Sequence, residues 1–343
     1  MKQFNQNILD IIGNTPIIKL NKVANHVDSD IYVKLEYMNP GGSIKDRMGV
    51  YLCQKAVERG DLKPGGTIVE STSGNTGVGI ALFAAIHGYK CVFVMADKQS
   101  LEKIDNLKAY GAKVLVCPTN VEPEDPRSYY SVAAKLGELP NSVFLDQYGN
   151  MDNGESHFEI TGPEIYEQTK GEFDTLIAGI GTGGTISGCS RFLRTKMPNL
   201  KAVAVDCEGS ILMEYHQTGE MGEAHSYVVE GIGEDFLPDN VIFDQIDEFV
   251  RVGDEESFHM TIRLLREEGI YAGGSSGSAV VGALRYAESL DKPERILVIL
   301  PDSGNRYASK IYNEAWMKEM GYVKGEAAKD ELDLEIEKIL GND

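Results

Sequence analysis

Short apolar runs rich in β-branched residues alternate along the chain with longer segments of helical periodicity. Strands are predicted at residues 31–35, 67–69, 91–95, 113–116, 175–178, 202–205, 249–252 and 296–300. Helices are predicted at residues 46–59, 76–87, 101–110, 156–168, 184–196, 255–268, 278–290 and 307–320. This alternation implies parallel strands with helices on both faces of the sheet. Strand 296–300 is apolar without a break, as a strand buried on both faces should be. The sequence therefore predicts an α/β fold.

The length of 343 residues favours about two domains. We expect a smaller, mobile N-terminal α/β domain over residues 1–152 and a larger one over 153–323. Part of about the first 40 residues is expected to cross to the larger domain. The Asn- and Gly-rich stretch 147–156 favours a boundary there. Residues 324–343 are predicted to form an acidic helical tail, because their apolar residues fall on one helical stripe.

The charge and the apolar pattern exclude several classes of protein. The net charge is −20 without a basic block, which argues against nucleic-acid and anionic-membrane partners. The longest apolar stretch, 78–86, is too short to span a bilayer. Five scattered cysteines and an N-terminus without an apolar signal segment favour a cytoplasmic protein with reduced thiols. Neither the cysteines nor the six histidines have the spacing of a metal site, so no metal is predicted.

A glycine-rich turn follows the predicted strand at 175–178. Ligands of open α/β sheets bind beyond the carboxyl ends of the strands, where this turn lies. Gly181, Gly183 and Gly184 would let backbone N–H groups converge at a helix start, which predicts a phosphate site. The turn lacks the lysine of nucleotide triphosphatases, and Ile186 replaces the third glycine of dinucleotide motifs. Glycine can also stand here merely to make the turn.

Three further turns carry polar groups. Residues 71–77 read Ser-Thr-Ser-Gly-Asn-Thr-Gly before a helix, which suits a carboxylate, although ordinary capping needs one such residue. Lys45 follows a Pro-Gly-Gly turn at a helix start, where burial would lower its pKa and favour an amine nucleophile or base. Most lysines are surface charges. Ser303, after the last strand, could bind a ligand ring nitrogen or cap a helix. Pyridoxal 5′-phosphate requires this combination of groups.

With these motifs, the chain resembles the fold-type II pyridoxal-phosphate enzymes, the cysteine synthase and cystathionine β-synthase family. The resemblance extends from residue 11 to about residue 322 and implies two α/β domains of the tryptophan synthase β type. Residues 206–211, residues 230–236 and Tyr148 resemble the cystathionine β-synthase catalytic core. The 343 residues show neither a haem-binding extension nor tandem regulatory domains, so we expect neither haem control nor activation by S-adenosylmethionine.

The resemblance also implies roles for individual residues. Lys45 would bind the cofactor covalently, Asn75 would bind its ring hydroxyl, and Ser303 would meet its ring nitrogen. The phosphate would be held by Gly181, Thr182, Gly183, Gly184 and Thr185. The substrate carboxylate would be bound by Thr72, Ser73, Thr76 and Gln147. Further substrate contacts would come from Tyr148, Gly231 and Glu234, the last standing where animal enzymes have tyrosine. The resemblance implies a homodimer.

The expected reaction is a β-replacement on L-serine or an O-activated serine by a thiol, through an aminoacrylate. Serine with homocysteine would give cystathionine, with hydrogen sulfide release as a side reaction. The alternative within the family is a cysteine synthase using O-acetylserine and sulfide. A dinucleotide-dependent oxidoreductase and a non-catalytic binding protein are readings from other classes. The absent third glycine and the complete set of Lys45, Asn75 and Ser303 disfavour them.

Overall fold

The computed structural model of the chain describes residues 4–97, 99–122 and 125–323. The described residues up to Tyr307 belong to one compact unit, and residues 308–323 belong to a second. The predicted acidic helix at 324–343 lies outside the described residues. The domain boundary at residue 152 stays a prediction.

Within the described residues, ten strands form two sheets. The larger sheet has the order β1-β2-β10-β7-β8-β9, with β1 antiparallel to β2 and the other neighbours parallel. Its strands are β1 Ile17–Lys19, β2 Asp30–Leu35, β7 Thr175–Gly179, β8 Lys201–Cys207, β9 Glu248–Val252 and β10 Arg295–Leu300. The smaller sheet is parallel throughout, in the order β5-β4-β3-β6. Its strands are β3 Thr67–Ser71, β4 Lys90–Ala96, β5 Lys113–Cys117 and β6 Ser142–Phe144.

Helices connect the parallel strands. They are α1 Lys45–Arg59, α2 Asn75–His87, α3 Leu101–Ala109, α4 Tyr129–Gly137, α5 Asp152–Ser156, α6 Gly162–Thr169, α7 Gly184–Arg194, α8 Leu212–Thr218, α9 Asp254–Glu268, α10 Gly274–Glu288 and α11 Glu314–Glu319. A π-helical turn, His157–Thr161, joins α5 to α6. None of the helices in the described residues is long and apolar enough to cross a bilayer.

The central strands of the larger sheet, β7, β8 and β10, are buried on both faces. Along β10, Val298 packs in a cluster with Ile177 of β7, whereas its neighbour Leu297 packs with Leu176 in a second cluster on the opposite face. All four side chains are almost completely buried. Successive side chains of a strand point to opposite faces, so this sheet separates two apolar layers. The predicted α/β fold is confirmed.

The eight predicted strands are all present, and the differences concern short or interrupted elements. β1 and β6 have three residues each, too few to show a periodic pattern, and α4 and α8 were not predicted. The predicted helix at 156–168 is interrupted by the π turn, because Pro163 has no N–H for an α-helical bond. The predicted helix at 307–320 is wrong in its first half. Asn313 Oδ1 accepts hydrogen bonds from the N–H groups of Ala315 and Trp316, which starts α11 at residue 314.

Candidate active site

The carboxyl ends of strands from both sheets lead into the predicted site. The loop of residues 72–74 follows β3, residues 180–183 follow β7, and residues 301–303 follow β10. Lys45 is the first residue of α1, and Ser43 before it pairs with Asp302 in an isolated β-bridge. The loops that were predicted separately are therefore held together by the strands they follow.

The amine of Lys45 lies against the glycine-rich loop. Its Nζ donates a hydrogen bond of 3.2 Å to Oγ1 of Thr182. Burial lowers the pKa of Lys45 to about 8, although the negative charges of Glu234 and Glu70 oppose this shift. An amine with this pKa is largely uncharged in mildly alkaline solution, and the uncharged form is the nucleophile and base.

The loop 181–185 has the backbone of an anion site. Gly183 has φ +85°, and a Cβ at this position would overlap Val241, so only glycine fits. α7 begins at Gly184 and directs its N-terminal N–H groups into the loop. The hydroxyls of Thr182 and Thr185 contact two side chains of the α5–α6 segment. Thr182 Oγ1 accepts from Asn153 Nδ2 at 3.0 Å, and Thr185 Oγ1 lies 3.2 Å from His157 Nε2.

The loop at 72–77 is tied to Gln147 from the segment after β6. Thr72 Oγ1 accepts from the N–H of Gly74 at 2.9 Å, which shapes the turn. Thr76 Oγ1 donates to Gln147 Oε1 at 2.6 Å, and Gln147 Nε2 donates to the carbonyl of Ser71 at 2.7 Å. Ser73 is half-buried in this turn. The structure brings together all four residues predicted to bind the substrate carboxylate.

Asn75 and Ser303 are linked through Asp302. Asn75 Nδ2 donates to Asp302 Oδ2 at 2.9 Å, and Tyr307 OH donates to the same oxygen at 2.7 Å. The amide of Ser303 donates to the carbonyl of Gly42, which joins it to the loop that carries Lys45. Sequence reasoning gave Asp302 no role. Its place in Pro-Asp-Ser after a buried strand, beside the predicted Ser303, is the signal that could have found it.

Gly231 and Glu234 lie beside the glycine-rich loop. A Cβ at Gly181 would stand 3.1 Å from the carbonyl oxygen of Gly231 and 3.5 Å from Glu234 Oε1. Gly231 has φ +91°, in the region that favours glycine. The structure therefore places both predicted residues near the loop to which Lys45 donates.

Tyr148 lies in an aromatic cluster at the wall of a cavity. Its ring is 5.5 Å from the ring of Tyr130 and 5.3 Å from that of Phe236, both edge to face. These three rings line a cavity of about 500 Å³. Tyr148 lines this cavity and follows Gln147 directly along the chain.

Glu70 is a buried carboxyl group that the sequence did not single out. It lies at the penultimate position of β3, and its Oε1 accepts from the N–H groups of Ser71 and Gln147 at 3.1 and 3.3 Å. Its Oε2 is buried without a hydrogen-bond partner. Burial raises the pKa of Glu70 well above its ordinary value. Its position two residues before the loop at 72–77 is the only sequence signal for it.

The residues of this site fit pyridoxal 5′-phosphate. A buried amine of lowered pKa suits the aldehyde, and the loop at 181–185 suits the phosphate. Asn75 Oδ1 is buried without a partner beside these groups, as a residue that binds a ring hydroxyl would be. Among the described residues, no group of three or more His, Cys, Asp or Glu side chains is arranged to hold a metal ion.

Comparisons with known proteins agree with this fit. Residues 8–302 match the family of pyridoxal-phosphate dependent enzymes. Cystathionine β-synthase of Apis mellifera is 45% identical over 320 residues, which cover 92% of this chain and 63% of that protein. The solved O-acetylserine dependent cystathionine β-synthase of Helicobacter pylori has a TM-score of 0.83 and 37% identity, covering 91% of this chain and 100% of that one. A hydrogen sulfide-producing enzyme of Fusobacterium nucleatum has a TM-score of 0.82 and 32% identity, covering 89% and 100%.

The chain belongs to the family of pyridoxal-phosphate dependent enzymes, in its fold-type II class, and its cofactor is pyridoxal 5′-phosphate. It spans less than two thirds of the length of the first curated relatives that it matches. The family places the chain outside the dinucleotide-dependent oxidoreductases.

Proposed function

We propose that this protein catalyses the β-replacement of the hydroxyl or acyloxy group of an L-serine derivative by a thiol, as a cystathionine β-synthase does with serine and homocysteine. The main support is the hydrogen bond between Lys45 Nζ and Thr182, because it joins the reactive amine to the glycine-rich loop. The names of the bee and Helicobacter proteins support the same reaction.

In the proposed site, Lys45, Asn75 and Ser303 hold the cofactor ring, and residues 181–185 hold its phosphate. When bound, the cofactor supplies an electron sink for the electron pair that remains on Cα when its proton is removed. Thr72, Ser73, Thr76 and Gln147 bind the substrate carboxylate and orient Cα. Gln147 is fixed by two hydrogen bonds to the loop, so it can keep this orientation.

Lys45 Nζ acts as the general base and acid at Cα. An amine with a pKa of about 8 can accept the α-proton near neutral pH and return it after the thiol has added at Cβ. The ion pair between Lys103 of α3 and Glu230 is almost completely buried. The side chain of Lys103 packs next to Gly74 in the loop at 72–77. This contact covers the loop and helps to exclude water from the reacting carbon.

The thiol would approach beside Tyr148, Gly231 and Glu234, next to the cavity of about 500 Å³. Homocysteine is the proposed acceptor, because curated relatives that are 43–45% identical to this chain are named cystathionine β-synthases. The alternative is a cysteine synthase reaction with O-acetylserine and sulfide. The name of the Helicobacter protein supports O-acetylserine as a donor, and that of the Fusobacterium protein supports hydrogen sulfide release as a side reaction.

A substrate panel distinguishes these reactions. The holoenzyme would be supplied with L-serine or O-acetylserine and with homocysteine, cysteine or sulfide, and products would be identified by mass spectrometry. Cystathionine as the fastest-formed product supports the proposal, whereas cysteine formed fastest from O-acetylserine and sulfide supports the alternative. Absence of β-replacement in every combination would refute both.

We predict that Lys45→Ala abolishes turnover, because no other amine takes its place at Thr182 Oγ1 among the hydrogen bonds of the described residues. Loss of a general base and covalent anchor should lower kcat by at least about 10³-fold. Lys55→Ala is the matched control, since Lys55 pairs with Glu58 on the surface of the same helix. Borohydride reduction should attach the cofactor to Lys45 in the wild type and in Lys55→Ala, and should attach none in Lys45→Ala. Attachment at another lysine would contradict the assignment.

We further propose a cytoplasmic homodimer whose domains meet near residue 152. The resemblance to the family supports the dimer, and five buried cysteines without disulfides are compatible with a reducing compartment. Sedimentation equilibrium would test the dimer, and limited proteolysis with and without serine would test the boundary.

A further inference from the structure

Two side chains of the segment from α5 to the π turn contact the threonines of the glycine-rich loop at 181–185, which is called the phosphate loop below. Asn153 and His157 are four residues apart and are both completely buried. Asn153 Nδ2 lies 3.0 Å from Thr182 Oγ1, and His157 Nε2 lies 3.2 Å from Thr185 Oγ1. Neither residue belongs to the loop itself, and the proposed reaction assigns no role to them.

The amide orientation of Asn153 is determined by a carbonyl group. Asn153 Nδ2 also lies 2.7 Å from the backbone carbonyl of Gln147, and a carbonyl oxygen can only accept. The side-chain nitrogen must therefore face both Gln147 and Thr182, and it donates to each. Thr182 Oγ1 accepts from Asn153, so the hydroxyl proton of Thr182 must point elsewhere.

His157 can donate a hydrogen bond to Thr185, as Asn153 donates one to Thr182. Burial lowers the pKa of His157 well below its ordinary value, so the ring is neutral and carries one N–H. Its Nδ1 lies 2.9 Å from Thr161 Oγ1, which can donate to it from the end of the π turn. If Thr161 donates to Nδ1, the ring proton is on Nε2 and is donated to Thr185 Oγ1.

The packing of α7 allows this approach. A Cβ on Gly184 would overlap the Asn153 side chain, and a Cβ on Gly188 would overlap the backbone of Gly154 and crowd His157. These two glycines are four residues apart on α7, as Asn153 and His157 are on the facing segment. His157 is the first residue of the π turn, and its side chain lies against Thr185.

We propose that Asn153 and His157 are positioning residues that direct the hydroxyl protons of Thr182 and Thr185 toward the cofactor phosphate. A phosphate dianion only accepts hydrogen bonds, so each threonine must offer its proton and have its oxygen occupied by another donor. This inference rests on the proposed phosphate site at 181–185 and is independent of which β-replacement the enzyme performs.

The tautomer of His157 is the first test, on the unmodified holoenzyme. In NMR spectra of protein labelled with ¹⁵N-histidine, the ring-nitrogen chemical shifts of His157 should show a protonated Nε2 and an unprotonated Nδ1. The His157 signals are identified by their absence from the spectrum of His157→Gln. A protonated Nδ1 would overturn the role of His157, whatever cofactor affinities the variants show.

Cofactor affinity is the second test, measured for the apoenzyme with pyridoxal 5′-phosphate and with pyridoxal, which lacks the phosphate. His157→Leu should weaken binding of the phosphorylated cofactor by roughly ten-fold and leave pyridoxal unchanged. His157→Gln places an amide N–H near the position of Nε2 and should restore most of the affinity. Asn153→Asp replaces the donor by an acceptor that would draw the Thr182 proton away, and it should also weaken only the phosphorylated cofactor.

Thr185→Val distinguishes an error in the proposed phosphate site from an error in the positioning role of His157. It should weaken the phosphorylated cofactor, and adding His157→Leu to it should then have no further effect. If Thr185→Val does not change the affinity, the proposed phosphate site is wrong. Only the positioning role is wrong if Thr185→Val weakens cofactor binding and His157→Leu does not. The same conclusion follows if His157→Leu weakens the binding of pyridoxal 5′-phosphate and of pyridoxal equally.

Discussion

Burial of single ionisable groups explains much of the chemistry of this site. Lys45 and Glu70 lie close enough to influence each other's pKa, and burial shifts both toward the uncharged form. The lysine amine is thereby largely uncharged in mildly alkaline solution. The carboxyl group accepts from the backbone N–H of Gln147, so it helps to hold a residue that is proposed to bind the substrate carboxylate. The two residues use the same physical effect for different purposes.

Glu70→Gln should increase the free energy of unfolding in neutral solution. The folded protein raises the pKa of Glu70 above its ordinary value of 4.5, so ionisation costs stability progressively as the pH rises above that value. Glutamine keeps the acceptor for Ser71 and Gln147 but cannot ionise. The gain should be about 1.4 kcal/mol for each pH unit above 4.5, up to the pKa of Glu70 in the folded protein, and it should vanish below about pH 4. Urea unfolding of both proteins across this range measures it.

Substitution by leucine provides the contrast. Glu70→Leu removes the acceptor for the backbone N–H of Gln147, so KM for the amino-acid substrate should rise several-fold. Glu70→Gln keeps an acceptor and should leave KM within about two-fold of the wild-type value. A large rise in KM for Glu70→Gln would mean that the negative charge itself is needed.

A buried network of charges connects the elements that surround α1. Arg47 Nε donates to Glu36 Oε2 at 2.8 Å, and Arg47 Nη1 donates to Glu164 Oε2 of α6 at 2.7 Å. Lys34 Nζ of β2 donates to the other oxygen of Glu164 at 2.6 Å. Arg47 is two residues after Lys45, so this network fixes the first turn of the helix that begins with Lys45.

Glu164→Gln should lower the free energy of unfolding by about 3 kcal/mol near neutral pH, because it leaves two buried cations with one carboxylate fewer. Burial opposes ionisation of Glu164, but hydrogen bonds and charges from Arg47 and Lys34 outweigh it and lower the pKa to about 2. Its stabilisation is therefore present above its ordinary pKa of 4.5 and is lost as the pH falls toward 2. The difference between variant and wild type should shrink over that interval.

Chemical denaturation at about pH 7 and about pH 3 makes this comparison. Glu58→Gln on α1 is the control, since its pair with Lys55 is exposed and should leave the unfolding midpoint unchanged. An equal effect of Glu164→Gln at both pH values would show that the loss is steric and does not come from the charges.

The cofactor site collects residues from both sheets, so its occupation should stabilise the folded protein. Asn75 follows β3 of the smaller sheet, whereas Thr182 and Ser303 follow β7 and β10 of the larger one. A ligand that binds only the folded protein adds about 2.7 kcal/mol when present at 100 times its Kd.

Removal of the cofactor with hydroxylamine should therefore lower Tm by several degrees, and added pyridoxal 5′-phosphate should restore it. Differential scanning calorimetry of the holo, apo and reconstituted protein measures the shift. Lys45→Ala should show a smaller shift on addition of cofactor, because the covalent anchor is missing. Identical Tm values for holo and apo wild-type protein would contradict the placement of the site.

Local patterns were enough to predict the α/β fold and the site motifs. Eight strands and the loops at 72–77 and 181–185 have signals within a few consecutive residues, because strand burial and helix starts leave local traces in composition. The three-residue strands β1 and β6 have no such trace, and they form because neighbouring strands pair with them. Pro163 and Asn313 show that a single residue can interrupt or begin a helix within an apparently continuous pattern.

The order of amino acids alone was sufficient for the α/β architecture and the family resemblance, since these depend on periodicity and on short contiguous motifs. Only the folded chain brings Asn75 to Asp302, Gln147 to Thr76, and Asn153 and His157 to the threonines of the phosphate loop. These partners are between 28 and 227 residues apart. Burial, hydrogen-bond direction and pKa depend on such distant neighbours, so no local pattern in the sequence can specify them.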